Sequence, residues 1–242
     1  MPNQKTILSW STGKDAAYAL HQLVLQNKKP DLLLCTVNKD FNRVSMHGLR
    51  IELLIKQAEM LQIPLHTIAL SKDVNIDEYN NIMYKELLAL RKKGYQNIVF
   101  GDIFLEDLRI FREQQMQKVN LTTSFPLWKQ NTKELALQII DSGIKAIVVA
   151  VNAKLLDKTF VGREFDRQFL NDLPNKVDYC GENGEFHSFV YDSPDFVSPI
   201  SFTVGEKIHK EYKPCTKSDQ KAYKKDAKNT HWDTAFWYVD LY

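Results

Sequence analysis

Five consecutive residues, Ser11-Thr12-Gly13-Lys14-Asp15, carry the densest chemistry in the first half of the chain. They follow a short apolar burst, Ile7–Leu8, and precede a helical stripe of Ala16, Ala19, Leu20, Leu23 and Val24. A helix start there offers unpaired backbone N–H groups and a positive dipole end to an anion. Gly13 lets the backbone approach closely. Ser11 and Thr12 supply hydroxyl donors, and Lys14 adds a full charge. A phosphate fits this loop, and Lys14 is expected to be exposed in a cleft. Asp15 alone repels phosphate. It implies either a Mg²⁺ bridging carboxylate and phosphates or a cap that accepts loop amides. The loop is not a Walker A sequence, since Leu8 stands where that pattern needs Gly and Asp15 where it needs Ser or Thr. It also fails the G-x-G-x-x-G pattern.

The elements that must position this loop alternate in type. Leu32 to Val37 is apolar on both faces, as a buried parallel strand should be. Ile51, Leu54, Ile55, Ala58 and Leu61 make a second helical stripe. Pro64 to Leu70 reads as a strand. Asn75 and Glu78 form a capping-box start for a helix running towards Gly94. Asn97 to Phe100 is a strand stopped by Gly101, a helix spans about Asp107 to Lys118, and Thr123 to Leu127 is a weak fifth strand. This alternation predicts βαβ units, a five-stranded parallel sheet with helices on both faces. Asn131 and Glu134 start another helix, ended by Gly143, and Ile144 to Val151 is a strong strand. A helix is expected over Arg163 to Leu173, then strands near Phe186–Tyr191, Ile200–Val204 and Phe236–Leu241. The strands now follow each other with few helices, which suggests a smaller mixed α+β unit. The boundary falls near Trp128, giving units 1–128 and 129–242.

Composition is that of an ordinary globular protein. The chain has 242 residues, 44% apolar and 26% charged, with a net charge of +2. That balance excludes disordered and fibrous classes and gives no global basic excess for nucleic acid, an unlikely partner. The three cysteines, Cys35, Cys180 and Cys215, are far apart, so a disulfide framework or cysteine zinc cage is not expected. The polar N-terminus does not read as a signal peptide, and the purest apolar run, Ala146 to Val151, is far short of a bilayer span. A cytoplasmic protein without membrane contact is the expectation, and a homo-oligomer is compatible with it. Lys207 to Lys228 holds eight lysines against three acids, read as a solvated loop or as a docking surface for an acidic partner.

The loop resembles the PP-loop, Ser-Gly-Gly-x-Asp-Ser, of the N-type ATP pyrophosphatases. It departs from that pattern at Thr12 and at Ala16, which loses one phosphate hydroxyl. Further segments narrow the resemblance: Met46-His47, Gly101-Asp102, Pro126-Leu127-Trp128, and the block Gly181-Glu182-Asn183-Gly184-Glu185-Phe186-His187-Ser188, followed by Asp192 and Pro194. Over roughly residues 5 to 205, with Asp240-Leu241 also fitting, the chain is identified as a member of the diphthine–ammonia ligase family, in the adenine nucleotide α-hydrolase-like (HUP) superfamily. Asn183, His187 and Gly162-Arg163 resemble its bacterial branch. The resemblance implies a Rossmann-like ATP domain closed by a smaller C-terminal domain, with ATP and Mg²⁺ as ligands. It implies adenylation of a carboxylate or carbonyl oxygen with release of pyrophosphate, then displacement of AMP by ammonia or an amine. Bacteria carry no diphthamide, so the acceptor, small or protein-borne, stays open.

Residue by residue, the resemblance places ATP against Ser11, Thr12, Gly13, Lys14, Val37, His47, Gly101 and Asp102. Lys14 stabilises charge on the leaving pyrophosphate, and Asp15 and Asp102 are the candidate Mg²⁺ ligands. Glu182, Glu185 and His187 are candidates for gripping the amine and for general-base work. Two such close carboxylates favour a raised pKa on one of them. Trp128, Arg163 and Asn183 are assigned to the substrate. His21 and His66 read as structural. Cys35 reads as packing, and no thiol nucleophile is expected. A non-catalytic nucleotide sensor, suggested by Ala16, and an RNA-modifying adenylase, suggested by the lysine run, are the alternatives.

Overall fold

The computed structural model describes residues 4–45, 48–211 and 235–242. His47, Cys215, Trp232 and most of the lysine run therefore lie outside the described residues. In chain order the elements are β1 (Lys5–Ser9), α1 (Lys14–Leu25), β2 (Leu32–Asn38), β3 (Arg43–Val44), α2 (Ile51–Leu61), β4 (Leu65–Leu70), α3 (Ile76–Lys92), β5 (Tyr95–Val99), α4 (Glu106–Gln117) and β6 (Thr122–Ser124). They continue with α5 (Thr132–Asp141), β7 (Lys145–Asn152), α6 (Arg167–Asp172), β8 (Phe186–Asp192), β9 (Val204–Glu211) and β10 (Ala235–Leu241).

The expected parallel sheet is present. Its five parallel strands lie in the order β4-β2-β1-β5-β6, and the two-residue β3 adds an antiparallel pairing at the end of β2. Helices cover both faces. On one, α1 and α2 pack Ala19, Leu20, Leu54 and Leu61 against Leu8, Leu33 and Cys35, and this core continues into the second sheet. On the other, α3 and α4 pack Leu87, Leu90 and Met116 against Ile7, Leu34, Ile98 and Phe100. Asn75 makes the expected capping box: its side chain accepts from Glu78 N and the Glu78 carboxylate accepts from Asn75 N.

The second sheet is antiparallel, in the order β8-β7-β10-β9. Its centre is β7, buried from Ala146 to Asn152. Among the described residues no helix is long and apolar enough to cross a membrane.

Four details differ from expectation. The α2 stripe is rotated: Ile55 is exposed, while Leu53 and Gln57 are buried. The helix expected from Arg163 starts only at Arg167, behind Asp166, whose side chain accepts from Phe169 N. Ahead of that cap, Arg163 O and Glu164 are engaged along β7, by Val148 N and by a bridge to Ile147. The strand expected at Ile200–Val204 begins where that stretch ends, at Val204, because β9 follows the register of β10. The fifth parallel strand is Thr122–Ser124 rather than Thr123–Leu127, since Phe125 to Trp128 turns back: Trp128 N donates to Phe125 O.

Candidate active site

The Ser11–Asp15 loop leaves the carboxyl end of β1, where open parallel sheets bind ligands. Gly13 is the N-cap of α1, and having no side chain it leaves the helix start uncapped from its own position. Gly101, at the end of β5, lies against this start. A Cβ there would stand 3.0 Å from Ala16 N and 3.0 Å from the Asp15 carbonyl carbon, so any side chain would crowd the α1 start. Thr12 is fully buried with φ at +74°, a left-handed conformation costly for a β-branched residue. Long-range partners hold it there. Its carbonyl accepts from Val190 N of β8 at 3.0 Å and from Gln57 Nε2 of α2 at 3.0 Å. Gln57 also accepts from Trp10 Nε1 and donates to Val190 O, so one buried amide ties loop, helix and second sheet together.

The block Gly181–Ser188 reaches the same loop. Lys14 N donates to Ser188 Oγ at 3.2 Å, and the Lys14 ammonium donates to Cys180 O. Both segments line one cavity of about 540 Å³, within the range of small-ligand sites. Gly181 has φ at +69°, and a Cβ would meet Phe186 at 2.9 Å, so this sharp turn requires glycine. Asp178 accepts from Cys180 N and Glu182 N and braces the turn.

Lys14 corrects an expectation. It is 2% exposed, not open to solvent, because β8 and the turn before it close over the loop. Its ammonium pairs with Asp15 at 2.9 Å and sits 5.1 Å from the Phe186 ring centroid. Burial opposes the charge most strongly, but Asp15, 2.9 Å away, together with Cys180 and Glu182 outweighs it, and the Lys14 pKa stays above its ordinary value. Asp102 lines the cavity paired with Arg112, whose Nε lies 2.6 Å from Oδ2, close but off the hydrogen-bond line, and whose NH2 donates to Oδ1 at 3.1 Å.

Glu182 lines the cavity and accepts from Ile103 N at 2.7 Å and Phe104 N at 3.3 Å. Burial, with Asp15 and Asp102 nearby, pushes its pKa up to about 7 against those two hydrogen bonds. Burial, helped by Lys14, lowers His187 to about 4, so the imidazole is neutral at pH 7. Two groups in one cavity shifted in opposite directions make a candidate acid–base pair. Glu185 behaves differently. Its carboxylate is 2% exposed and accepts from Asp178 N, Asn183 N and Asn183 Nδ2, holding its own turn. Burial pushes the Cys180 thiol far up, as it does Cys35, so neither is a ready nucleophile.

The cavity gathers Ser11, Gly13, Lys14, Asp15, Gly101, Asp102, Glu182, Asn183 and His187. Five expected contacts among the described residues do not line it: Thr12 and Glu185 are buried in the backbone turns they hold, and three more lie elsewhere. Val37 is buried in the sheet, paired with Val44. Trp128 stacks under the Arg109 guanidinium, 4.6 Å from its ring centroid. Arg163 pairs with Asp172 at 2.7 Å over Phe160. Each found a local partner that satisfies it away from the cavity. Sequence reasoning missed Gln57 and Asp178. The one signal for Gln57 was an amide three residues after Leu54 in an apolar stripe.

A parallel sheet with this loop at its head, closed by a second sheet, is the PP-loop class of α/β protein. The chain belongs to the diphthamide synthase family: the family's N-terminal domain matches residues 4–122 and its C-terminal domain residues 131–222. Among curated relatives, diphthine–ammonia ligase of Bos taurus and that of Homo sapiens are each 31% identical over 137 residues, 54% of this chain and 51% of theirs. The chain thus spans about half the length of those relatives. The ligase of Mus musculus is 28% identical over 230 residues, 82% of each chain. Among solved structures, a predicted subunit of tRNA methyltransferase from Methanocaldococcus jannaschii matches with a TM-score of 0.44 at 14% identity, covering 79% of this chain and 98% of that one.

Proposed function

We propose that this chain is an ATP-dependent amide ligase that activates a carboxylate as its adenylate, releases pyrophosphate and passes the acyl group to ammonia. The observation that carries the reading is the meeting of the Ser11–Asp15 loop with Glu182 and His187 in one cavity. The family membership and the names of the relatives support it. Residues 1–128 hold the nucleotide, and residues 129–242 close the cavity and present the acceptor.

The β- and γ-phosphates lie against the α1 start, with Ser11 and Gly13 at their side. Lys14 neutralises charge as the α,β-phosphoanhydride breaks and the carboxylate oxygen bonds to the α-phosphorus. Asp15 and Asp102 line the cavity and would be the carboxylates to hold a Mg²⁺ shared with phosphates, which would have to compete with their pairing to Lys14 and Arg112. Among the described residues no cluster of three or more ligating side chains offers a site without phosphate. A bound Mg²⁺ would supply charge neutralisation on the phosphates. Glu182, poised near pH 7, takes one proton from the ammonium ion, and the freed ammonia attacks the acyl carbon as the bond to AMP breaks, its second proton leaving with the AMP phosphate. Neutral His187 accepts or donates a hydrogen bond beside it, and Glu185 and Asp178 keep the turn in place.

ATP incubated with the protein, Mg²⁺, a carboxylate panel and ammonium should yield AMP, pyrophosphate and an amide 1 Da lighter than the free acid, as replacing OH by NH₂ requires. Chromatography and mass spectrometry read this directly. ADP with inorganic phosphate as the sole products would refute the proposal.

A further inference from the structure

The cavity has a second side that the phosphate chemistry, Asp102 apart, leaves unused. There α3 packs on β4 and β5 while α4 packs on β6. Between the two helices, Tyr79 and Met83 of α3, one turn apart, face the cavity together with Leu108 and Phe111 of α4. Ile98 and Phe100 form its floor. Close packing normally draws such apolar faces into a core. Here α4 fully buries only Met116, and Tyr79, Met83, Leu108 and Phe111 all remain half-buried. The charges lining this side, Asp102 and Arg112, neutralise each other, and the Arg112 guanidinium lies 4.5 Å over Phe100. At the opposite side, Thr36 and Ser45 present small polar groups suited to a ribose and base.

We propose that this recess between α3 and α4 receives the apolar body of the carboxylate acceptor, an aryl or branched-alkyl carboxylic acid whose carboxylate points towards Lys14. The proposal rests on the amide-ligase reading for the acid's fate, but the binding site itself can be tested without turnover. An apolar body explains why the walls carry no unpaired charge. Each methylene buried there should tighten binding about fourfold.

The test uses the full chain, with 4-phenylbutyrate and glutarate as probes, and measures binding by saturation-transfer NMR with and without ATP. 4-Phenylbutyrate is expected to bind at least tenfold more tightly than glutarate. Leu108→Trp and Met83→Trp fill the recess from opposite helices, so one is informative if the other fails to fold. Each should weaken 4-phenylbutyrate at least tenfold and leave ATP affinity within twofold. Equal binding of the two acids would overturn the proposal. So would a loss of ATP affinity in both variants, which would assign the recess to the adenine ring. If 4-phenylbutyrate binds as expected but ATP gives only ADP, the recess stands and the ligase reading falls.

Discussion

Removing the Lys14 side chain should unfold part of the stability as well as the activity, and by an amount the structure fixes. Lys14→Met keeps the stem's bulk against Phe165 and Phe186 and deletes the ammonium. Asp15 then loses its partner at 2.9 Å, and Cys180 O loses its charged donor. Breaking a fully buried pair costs about 3–5 kcal/mol. The Asp15 side chain is 27% exposed, so water recovers part of that, and about 2–3 kcal/mol is the expected loss. For a chain of this size that is a fall in melting temperature of roughly 4–12 °C. Lys14→Met with Asp15→Asn removes the orphaned charge and should regain more than half the loss. Turnover should stay down on the order of 10²–10³ in both variants, since the preorganised positive charge is gone from both. Urea unfolding and AMP release, measured on the two proteins side by side, read the two effects separately. If the single variant is within about 0.5 kcal/mol of the parent, or the double variant recovers nothing, the ion pair is not what holds this loop.

Two further outcomes follow from the same geometry. Gly101→Ala places a methyl group 3.0 Å from the backbone of Asp15 and Ala16, which overpacks the α1 start. It should cost about 1–3 kcal/mol by thermal unfolding and weaken ATP binding about tenfold or more by titration. Glu182, raised in the fold to about 7, contributes stability that is full at low pH and lost as pH rises through 7. His187, lowered to about 4, contributes stability present above its unfolded pKa of 6.5 and lost as pH falls towards 4. The two slopes oppose each other between about pH 4.5 and 6.5. Glu182→Gln should therefore leave a protein whose stability rises with pH in that window, and His187→Phe one whose stability falls, both read by urea midpoints.

How far the sequence reached depended on the distance between cause and effect. The strand–helix alternation was legible because each period is local: Leu32–Val37 and the Asn75–Glu78 box need no knowledge of the rest of the chain. So was the Ser11–Asp15 loop. The burial of Lys14 was not, since it depends on Cys180 and Ser188, about 170 residues away. Gln57 was invisible for the same reason: its acceptors and donor lie at Thr12, Val190 and Trp10. Trp128 and Arg163 erred in the other direction. A nearby guanidinium for the tryptophan and a nearby carboxylate for the arginine satisfied each where it stood. Neighbourhood in a motif did not carry them into the cavity.

Thr12 shows how the second sheet shapes the phosphate loop. A β-branched residue at φ +74° costs about 1–3 kcal/mol, where a glycine would cost little. Two buried hydrogen bonds to its carbonyl, each worth about 0.5–1.5 kcal/mol net, offset that cost. One donor is on α2, but the other is Val190 of β8, and Gln57 itself needs Val190 O to be fully satisfied. The loop therefore holds its ligand-ready shape only while β8 is docked against it. A glycine at this position would hold the shape at little cost of its own. Here the shape is conditional, so the second sheet, whose β8 carries His187 and Ser188, also fixes the shape of the Ser11–Asp15 loop.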